Sequence, residues 1–234
     1  MKSSKKVIVI TGGNSGLGKA TAEILAKDNN VVILGKNEKE VEQTRKELKC
    51  DGIICDITDS QQLKNSFSQI IEKNKKIDCL INCAGVWIKG PIEENNGEAI
   101  KNTILVNVLG TMLTVNALVP QLKKQKYGRI INISSQAGLN AKAERSVYNA
   151  SKWAVTGFTK CLQSELAPFN ISVVGFYPGF IHTNLFGKAE DLRTDFSTAM
   201  SVEKPAKALA YLVNVDDDLV INSFEMQSIK DGPK

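Results

Sequence analysis

The chain is poor in the residues that build metal centres and disulfide frameworks. One histidine, His182, serves 234 residues, and the five cysteines (Cys50, Cys55, Cys79, Cys83, Cys161) are odd in number with no Cys-x-x-Cys pair. That supply excludes a zinc site of the usual spacing and leaves buried thiols of the kind kept reduced inside cells. No run approaches the roughly eighteen apolar residues that would cross a bilayer, and the opening Met-Lys-Ser-Ser-Lys-Lys leads straight into a short strand rather than a signal sequence. No membrane span and a cytoplasmic location are therefore expected. Lysines scattered over helical segments produce the net charge of +5, without the aromatic-interleaved basic stripe that nucleic-acid binding uses, so no nucleic-acid partner is expected. There is no internal repeat, low-complexity tract or linker. Hydrophobic residues at 42% suffice for one full core, and residues 1–234 are read as a single α/β domain.

What is present is an alternation of strands and helices. Val7 to Ile10 is an apolar run followed by Thr11-Gly-Gly-Asn-Ser-Gly-Leu-Gly18 and then a helical pattern. Strand, glycine-rich turn and helix in that order gather backbone N–H groups and the positive end of a helix at one point, which is a seat for a pyrophosphate. The second strand, Val31 to Leu34, ends in Gly35-Lys36-Asn37. A carboxylate there would take the ribose 2′-hydroxyl of NAD, whereas a cation accommodates a 2′-phosphate. Lys36 therefore favours NADP over NAD, with an ordinary surface lysine as the competing reading. Further strands are expected at Gly52–Cys55, Ile77–Ile81, Arg129–Ser134, Ile171–Phe176 and Leu219–Phe224, separated by helices. The pattern predicts a Rossmann-type, doubly wound parallel sheet of about seven strands with helices on both faces. Ligands in such sheets sit beyond the carboxyl ends of the strands, where Gly12, Lys36, Asp56 and Asn82 fall.

A long helix is expected from about Glu98 to Lys124, with Asn107 inside an apolar run and Pro120 kinking its end. A buried amide there must find partners, and it can hold a water or bond a main-chain carbonyl. The next strand ends at Ser135, and the helix that follows carries Tyr148 and Lys152 four residues apart, on one face. A cation beside a phenol lowers a pKa that is ordinarily about 10. Tyr148 could then exchange a proton with an alcohol or carbonyl oxygen, and Ser135 could reach the same oxygen. Residues 184–200, where Phe186, Leu192, Phe196 and Met200 mix with charges, are expected to form a substrate loop. His182, at the edge of this region, is read as a polar loop residue rather than a proton donor.

Taken together, Thr11-Gly-x-x-x-Gly-x-Gly18, Asp56, Asn82-x-Ala-Gly85, Asn107, Ser135, Tyr148-x-x-x-Lys152 and Pro178-Gly179 resemble the short-chain dehydrogenase/reductase family along nearly the whole chain. The resemblance implies an NADP(H)-dependent oxidoreductase acting on a small alcohol or carbonyl, with NAD the less favoured cofactor. It implies that Tyr148 passes the proton, that Lys152 lowers its pKa and binds the nicotinamide ribose, that Ser135 polarises the substrate oxygen, and that Asn107 positions a water. By the same resemblance Gly12, Asn14, Ser15, Gly16, Leu17 and Gly18 surround the phosphates and Asp56 and Ile57 flank the adenine. Asn82, Ala84 and Gly85 would line the central cleft, and Ile181 and Thr183 would fix the carboxamide beside Pro178 and Gly179. A homodimer or homotetramer is implied. Two rivals remain on the same fold: a cofactor-binding sensor without turnover, and an interaction protein. Cys83 stands where the family often has a second Asn, and the segment from Leu219 onward matches weakly, so the last strand's pairing is left open.

Overall fold

The computed structural model describes residues 5–185, 195–216 and 218–231. Seven parallel strands form one sheet: β1 (Val7–Thr11), β2 (Asn30–Gly35), β3 (Asp51–Ile54), β4 (Cys79–Asn82), β5 (Gly128–Ile133), β6 (Ile171–Pro178) and β7 (Ser223–Met226). Their order is β3-β2-β1-β4-β5-β6-β7, which agrees with the expected doubly wound sheet. The central strands are apolar runs because both faces are covered. Successive side chains leave opposite faces, so Val7 and Val9 enter one core cluster while Ile8 and Ile10 enter the other.

Helices α1 (Gly16–Leu25), α2 (Glu38–Leu48), α3 (Ser60–Asn74), α4 (Gly97–Ile104), α5 (Thr111–Gln125), α6 (Ser146–Leu166) and α7 (Glu203–Asn214) fill the two layers. Leu63, Phe67, Leu118, Leu122 and Leu162 bring α3, α5 and α6 to one face. Leu25, Leu209, Leu212 and Val213 bring α1 and α7 to the other. Local chemistry sets the helix starts: Asn37 accepts from the Glu40 N–H, Asp59 from those of Gln61 and Gln62, and Asn96 from that of Glu98.

Three expectations need correction. The long helix is not uniform: a π-helical turn, Leu105–Gly110, separates α4 from α5 and carries Asn107. Second, the combined stretch Gly97–Gln125 is, by length and composition, apolar enough to cross a membrane, although Asn102 and Asn107 interrupt its apolar run. A helix reaches that average while its polar groups are satisfied internally, and here Thr111 donates to the Asn107 carbonyl and Thr114 to that of Gly110. Of its most apolar window, 39% is buried within the fold. Third, the last strand begins at Ser223 rather than Leu219 and pairs with β6, Gly175 opposite Ser223 and Pro178 opposite Met226.

The sheet end remote from the cleft is fastened by Arg129, which is 6% exposed. Its guanidinium donates to the carbonyls of Leu212, Val213, Val215 and Asp216, and Lys6 Nζ adds a 2.9 Å bond to Val213. Two cations thus satisfy the carbonyls at the negative end of α7. Arg129→Met is expected to lower folding stability by about 2–4 kcal/mol through those stranded carbonyls. Urea unfolding that moves by less than about 1 kcal/mol would contradict this account.

Candidate active site

The carboxyl ends of β1, β2, β4, β5 and β6 open into a cavity of about 1290 Å³. Its floor at one end is the turn after β1. Gly12 has φ +65°, and a Cβ there would lie 2.8 Å from the Ala84 Cα, so two chain segments approach to a distance that only glycine allows. The Thr11 hydroxyl holds that approach by accepting from the N–H groups of Cys83 and Ala84 at 3.1 and 3.2 Å. Helix α1 then starts at Gly16 with no side-chain cap on its first N–H groups and no acid in its first turn. Gly12, Asn14, Ser15, Gly16, Leu17 and Gly18 all line the cavity. Free N–H groups, the positive helix end and the glycine cradle suit a pyrophosphate.

Lys36, Asp56 and Ile57 line the same end. Lys36 Nζ lies 3.3 Å from Asp56 Oδ2. Partial burial opposes ionisation of Asp56, but the Thr58 N–H and hydroxyl together with Lys36 outweigh it and hold the carboxyl below its usual range. No carboxylate can simply be added at the end of β2. A Cβ on Gly35 would stand 2.3 Å from Asn14 Oδ1 and 2.8 Å from Val41 Cγ2, while Asn14 is fixed by its 2.5 Å bond to Glu40.

At the other end α6 crosses the tip of β5. Ser134 donates to the Lys152 carbonyl at 3.0 Å, Thr156 lies 3.0 Å from Ser134, and these buried hydroxyls fasten helix to strand. Ser135, Tyr148 and Lys152 consequently share the cavity wall. Lys152 Nζ donates 3.0 Å to the Ile133 carbonyl and stands 5.7 Å from the Tyr148 ring centroid. Burial lowers the lysine from its ordinary 10.5 to about 8.

The expectation that Lys152 lowers the Tyr148 pKa is not met in this arrangement. Burial raises the phenol to about 12, and the opposing influences are the Ser135 hydroxyl and the Arg145 guanidinium. A buried phenolate costs more than those two groups return. The phenol therefore keeps its proton at neutral pH.

One further residue departs from its expected place. Asn82 does not line the cleft; at the last position of β4 its side chain turns along the sheet, donating 2.9 Å to Asn132, which donates to Thr159. Asn107, buried behind the wall, finds the main-chain partners expected of it. Its amide accepts from the Val86 N–H at 2.8 Å and donates to the Val86 carbonyl and to Ser151 Oγ, so its partners belong to the protein itself. Ala84, Gly85, Pro178, Gly179, Ile181 and Thr183 line the cavity.

The chain on either side of residues 186–194 is joined: Ile181 bridges to Met200, and Phe196 stacks between Phe180 and His182 at 5.4 and 4.1 Å. Phe186 and Leu192, expected to shape the substrate loop, lie outside the described residues. Cys83 does line the cavity, but burial pushes its thiol up to about 12, as it does for Cys79. Trp87 and Arg145 were not anticipated. Trp87 packs edge-on against Tyr148 with centroids 4.5 Å apart, and Arg145 lies 5.4 Å above the Trp87 ring.

The fold and the cleft define a parallel α/β protein with an anion cradle and a buried acid in one cavity. A family profile described as short chain dehydrogenase matches residues 6–193, and the chain belongs to that family of oxidoreductases. It is 34% identical over 192 residues to an uncharacterized oxidoreductase of Staphylococcus saprophyticus, covering 79% of this chain and 82% of that one. It is 32% identical over 206 residues to a 3-ketodihydrosphingosine reductase of Bacteroides thetaiotaomicron, covering 84% and 75%. Among solved structures, ElxO with NADP bound superposes with a TM-score of 0.85 at 27% identity, covering 94% and 96%.

The lysine's displaced pKa has a sign that can be tested. Between about 8 and 10.5 the unfolded chain holds a proton at Lys152 that the folded chain has lost, so this group makes stability rise with pH across that window. Below it, Lys152 is a charged group held out of water at a cost. Relative to Lys152→Met, wild-type stability is expected to improve as pH is raised from about 7 to about 10, with the variant at least as stable at pH 7. Parallel urea titrations whose difference stays flat with pH would exclude this.

Proposed function

We propose that the protein is an NADP(H)-dependent oxidoreductase that interconverts an alcohol and a carbonyl, with residues 1–234 acting as one dinucleotide-binding domain and residues 184–200 as its substrate loop. The observation that carries the reading is the presence of Tyr148, Ser135 and Lys152 in the same cavity as the glycine turn at the start of α1. Its volume, about 1290 Å³, exceeds the ~300–1000 Å³ of an ordinary small-ligand pocket, so a dinucleotide and a second molecule fit together. The relative named as a 3-ketodihydrosphingosine reductase and the neighbour holding NADP support it.

The nicotinamide cofactor supplies or accepts the hydride when bound. Gly12 to Gly18 would hold its phosphates, Lys36 a 2′-phosphate, Asp56 and Ile57 its adenine, and Lys152 the nicotinamide ribose. Ala84, Gly85, Pro178, Gly179, Ile181 and Thr183 would border the ring. A phenol protonated at neutral pH is suited to donate to a carbonyl oxygen as negative charge develops there. Ser135 would hold that oxygen by a second hydrogen bond. Asn107, joined to Val86 and Ser151, would keep the wall beneath Lys152 in register and border any water that reaches it.

We also propose assembly as a homodimer or homotetramer. Ile104, Leu109 and Trp153, on α4, the π-helical turn and α6, are 40%, 38% and 51% exposed, and large apolar side chains on long helices are commonly covered by a second copy. The cysteines of the described chain are all free thiols, in keeping with a cytoplasmic location.

Tyr148→Phe is expected to cost ~10²–10⁴ in the rate of NADPH-dependent carbonyl reduction while leaving NADPH binding within a factor of a few. Turnover at the wild-type rate would end this mechanism. If the Lys152 cation is needed, reduction should fall as pH rises through about 8, and Lys152→Arg should remove that limb from the pH profile. Lys36→Ala should weaken NADPH binding by about tenfold and leave NADH binding nearly unchanged, as loss of one charge-assisted contact requires. Equal losses for both cofactors would count against a 2′-phosphate at Lys36.

A further inference from the structure

Beyond Tyr148 the cavity has a polar wall that the cofactor reading leaves unused. Two loops make it. The segment after β4 carries Trp87 and Lys89, and the segment before α6 carries Asn140, Lys142 and Arg145. A 2.8 Å bond from the Gly90 N–H to the Glu144 carbonyl ties the loops together, so Lys89 and Arg145 flank a fixed junction. Glu144 adopts φ +59°, a conformation costly for a residue with a Cβ, and it turns the chain immediately before Arg145. Arg145 lies over Trp87, and Trp87 packs on Tyr148, so the guanidinium stands two ring contacts from the reacting phenol. Lys89, Lys142 and Arg145 all line the cavity.

A second group points to a ligand independently. Asn149 is 6% exposed and lines the same cavity. Its Nδ2 donates 3.0 Å to the Asn140 carbonyl, which fixes the orientation of the amide. Its Oδ1 is buried and has no hydrogen-bond partner among the described residues. A buried acceptor without a donor carries a desolvation cost that a ligand hydroxyl or N–H would remove.

We propose that the substrate is an anionic carbonyl compound, its carboxylate or phosphate taken by Arg145 with Lys142 and Lys89, and a neighbouring hydroxyl or N–H taken by Asn149 Oδ1. This deepens, and rests on, the oxidoreductase reading of the same cavity. Arg145 is the specificity-determining residue: its planar fork suits both anions, and its seat on Trp87 limits the rotamer freedom lost on binding. Asp195 and Asp231 also line the cavity and would repel an anion, which leaves the three cations as its seat. Uncharged long-chain ketones would fill the cavity without using this wall.

The test uses the full-length Tyr148→Phe protein saturated with NADPH, which keeps the substrate in place. Isothermal titration is run with straight-chain oxo acids of increasing length, an oxo phosphate, and the neutral methyl esters of each. At least one acid or phosphate is expected to bind ten or more times more tightly than its ester, and Arg145→Gln in the same background should abolish that preference while changing ester affinity less than threefold. The carboxylate and phosphate arms decide which anion is preferred. In wild-type enzyme the same substitution should raise KM for the charged ketone more than it lowers kcat. Equal affinity for acid and ester, or an equal loss for both on Arg145→Gln, overturns the anion subsite. Preferential binding of the anion by a wild-type enzyme that reduces none of these ketones upholds the subsite and defeats the oxidoreductase reading.

Discussion

The arrangement of the cavity wall depends on the join between α6 and β5, which holds one ammonium, that of Lys152, out of water. A buried lysine needs acceptors and a rigid surround, and the protein supplies both through the join between α6 and β5. The Ile133 carbonyl accepts from Nζ, Ser134 and Thr156 bind the main chain of α6 to the tip of the strand, and Asn107 braces the neighbouring loop through Val86. The same join buries Tyr148, and burial decides the state of both groups in opposite directions: the lysine releases its proton more readily and the phenol less so. A site made this way has its acid protonated before any ligand arrives.

The sheet divides the cavity into two chemical environments. Around the ends of β1 and β2, main-chain N–H groups and one exposed lysine face a space suited to phosphates, with Asn14, Glu40 and Asp56 forming a fixed border. Around the ends of β5 and β6, hydroxyls, aromatic edges and a guanidinium surround the acid. Between them the approach of Gly12 to Ala84 fixes how far apart the two environments lie. Reach, rather than affinity alone, is therefore set by backbone contact, which side-chain variation cannot easily alter.

Much of this was legible in the sequence, and the reason is periodicity. Apolar runs of four to six residues alternating with helical patterns read as buried parallel strands, and the four-residue interval from Tyr148 to Lys152 fixes a shared helix face. What escaped was set by contacts between segments far apart in the chain. The π-helical turn at Leu105–Gly110 exists where Asn107 meets Val86 and Ser151, and an apolar run cannot announce that meeting. Asn82 was assigned to the cleft because it ends a strand, yet a side chain at that position can also lie along the sheet, and Asn132 offers the partner. The expectation for the Tyr148 phenol counted the nearby cation and omitted desolvation, the larger influence. Residues in loops, Trp87 and Arg145 above all, carry no periodic signal.

The clasp formed by the Ile181–Met200 bridge and the Phe180–Phe196–His182 stack lies on the chain either side of residues 186–194. With its two ends already joined, the intervening segment can be lengthened, shortened or exchanged at only the slowly growing entropic cost of a closed loop. The fold thus tolerates variation in the length of that segment without disturbing the sheet or the join between α6 and β5.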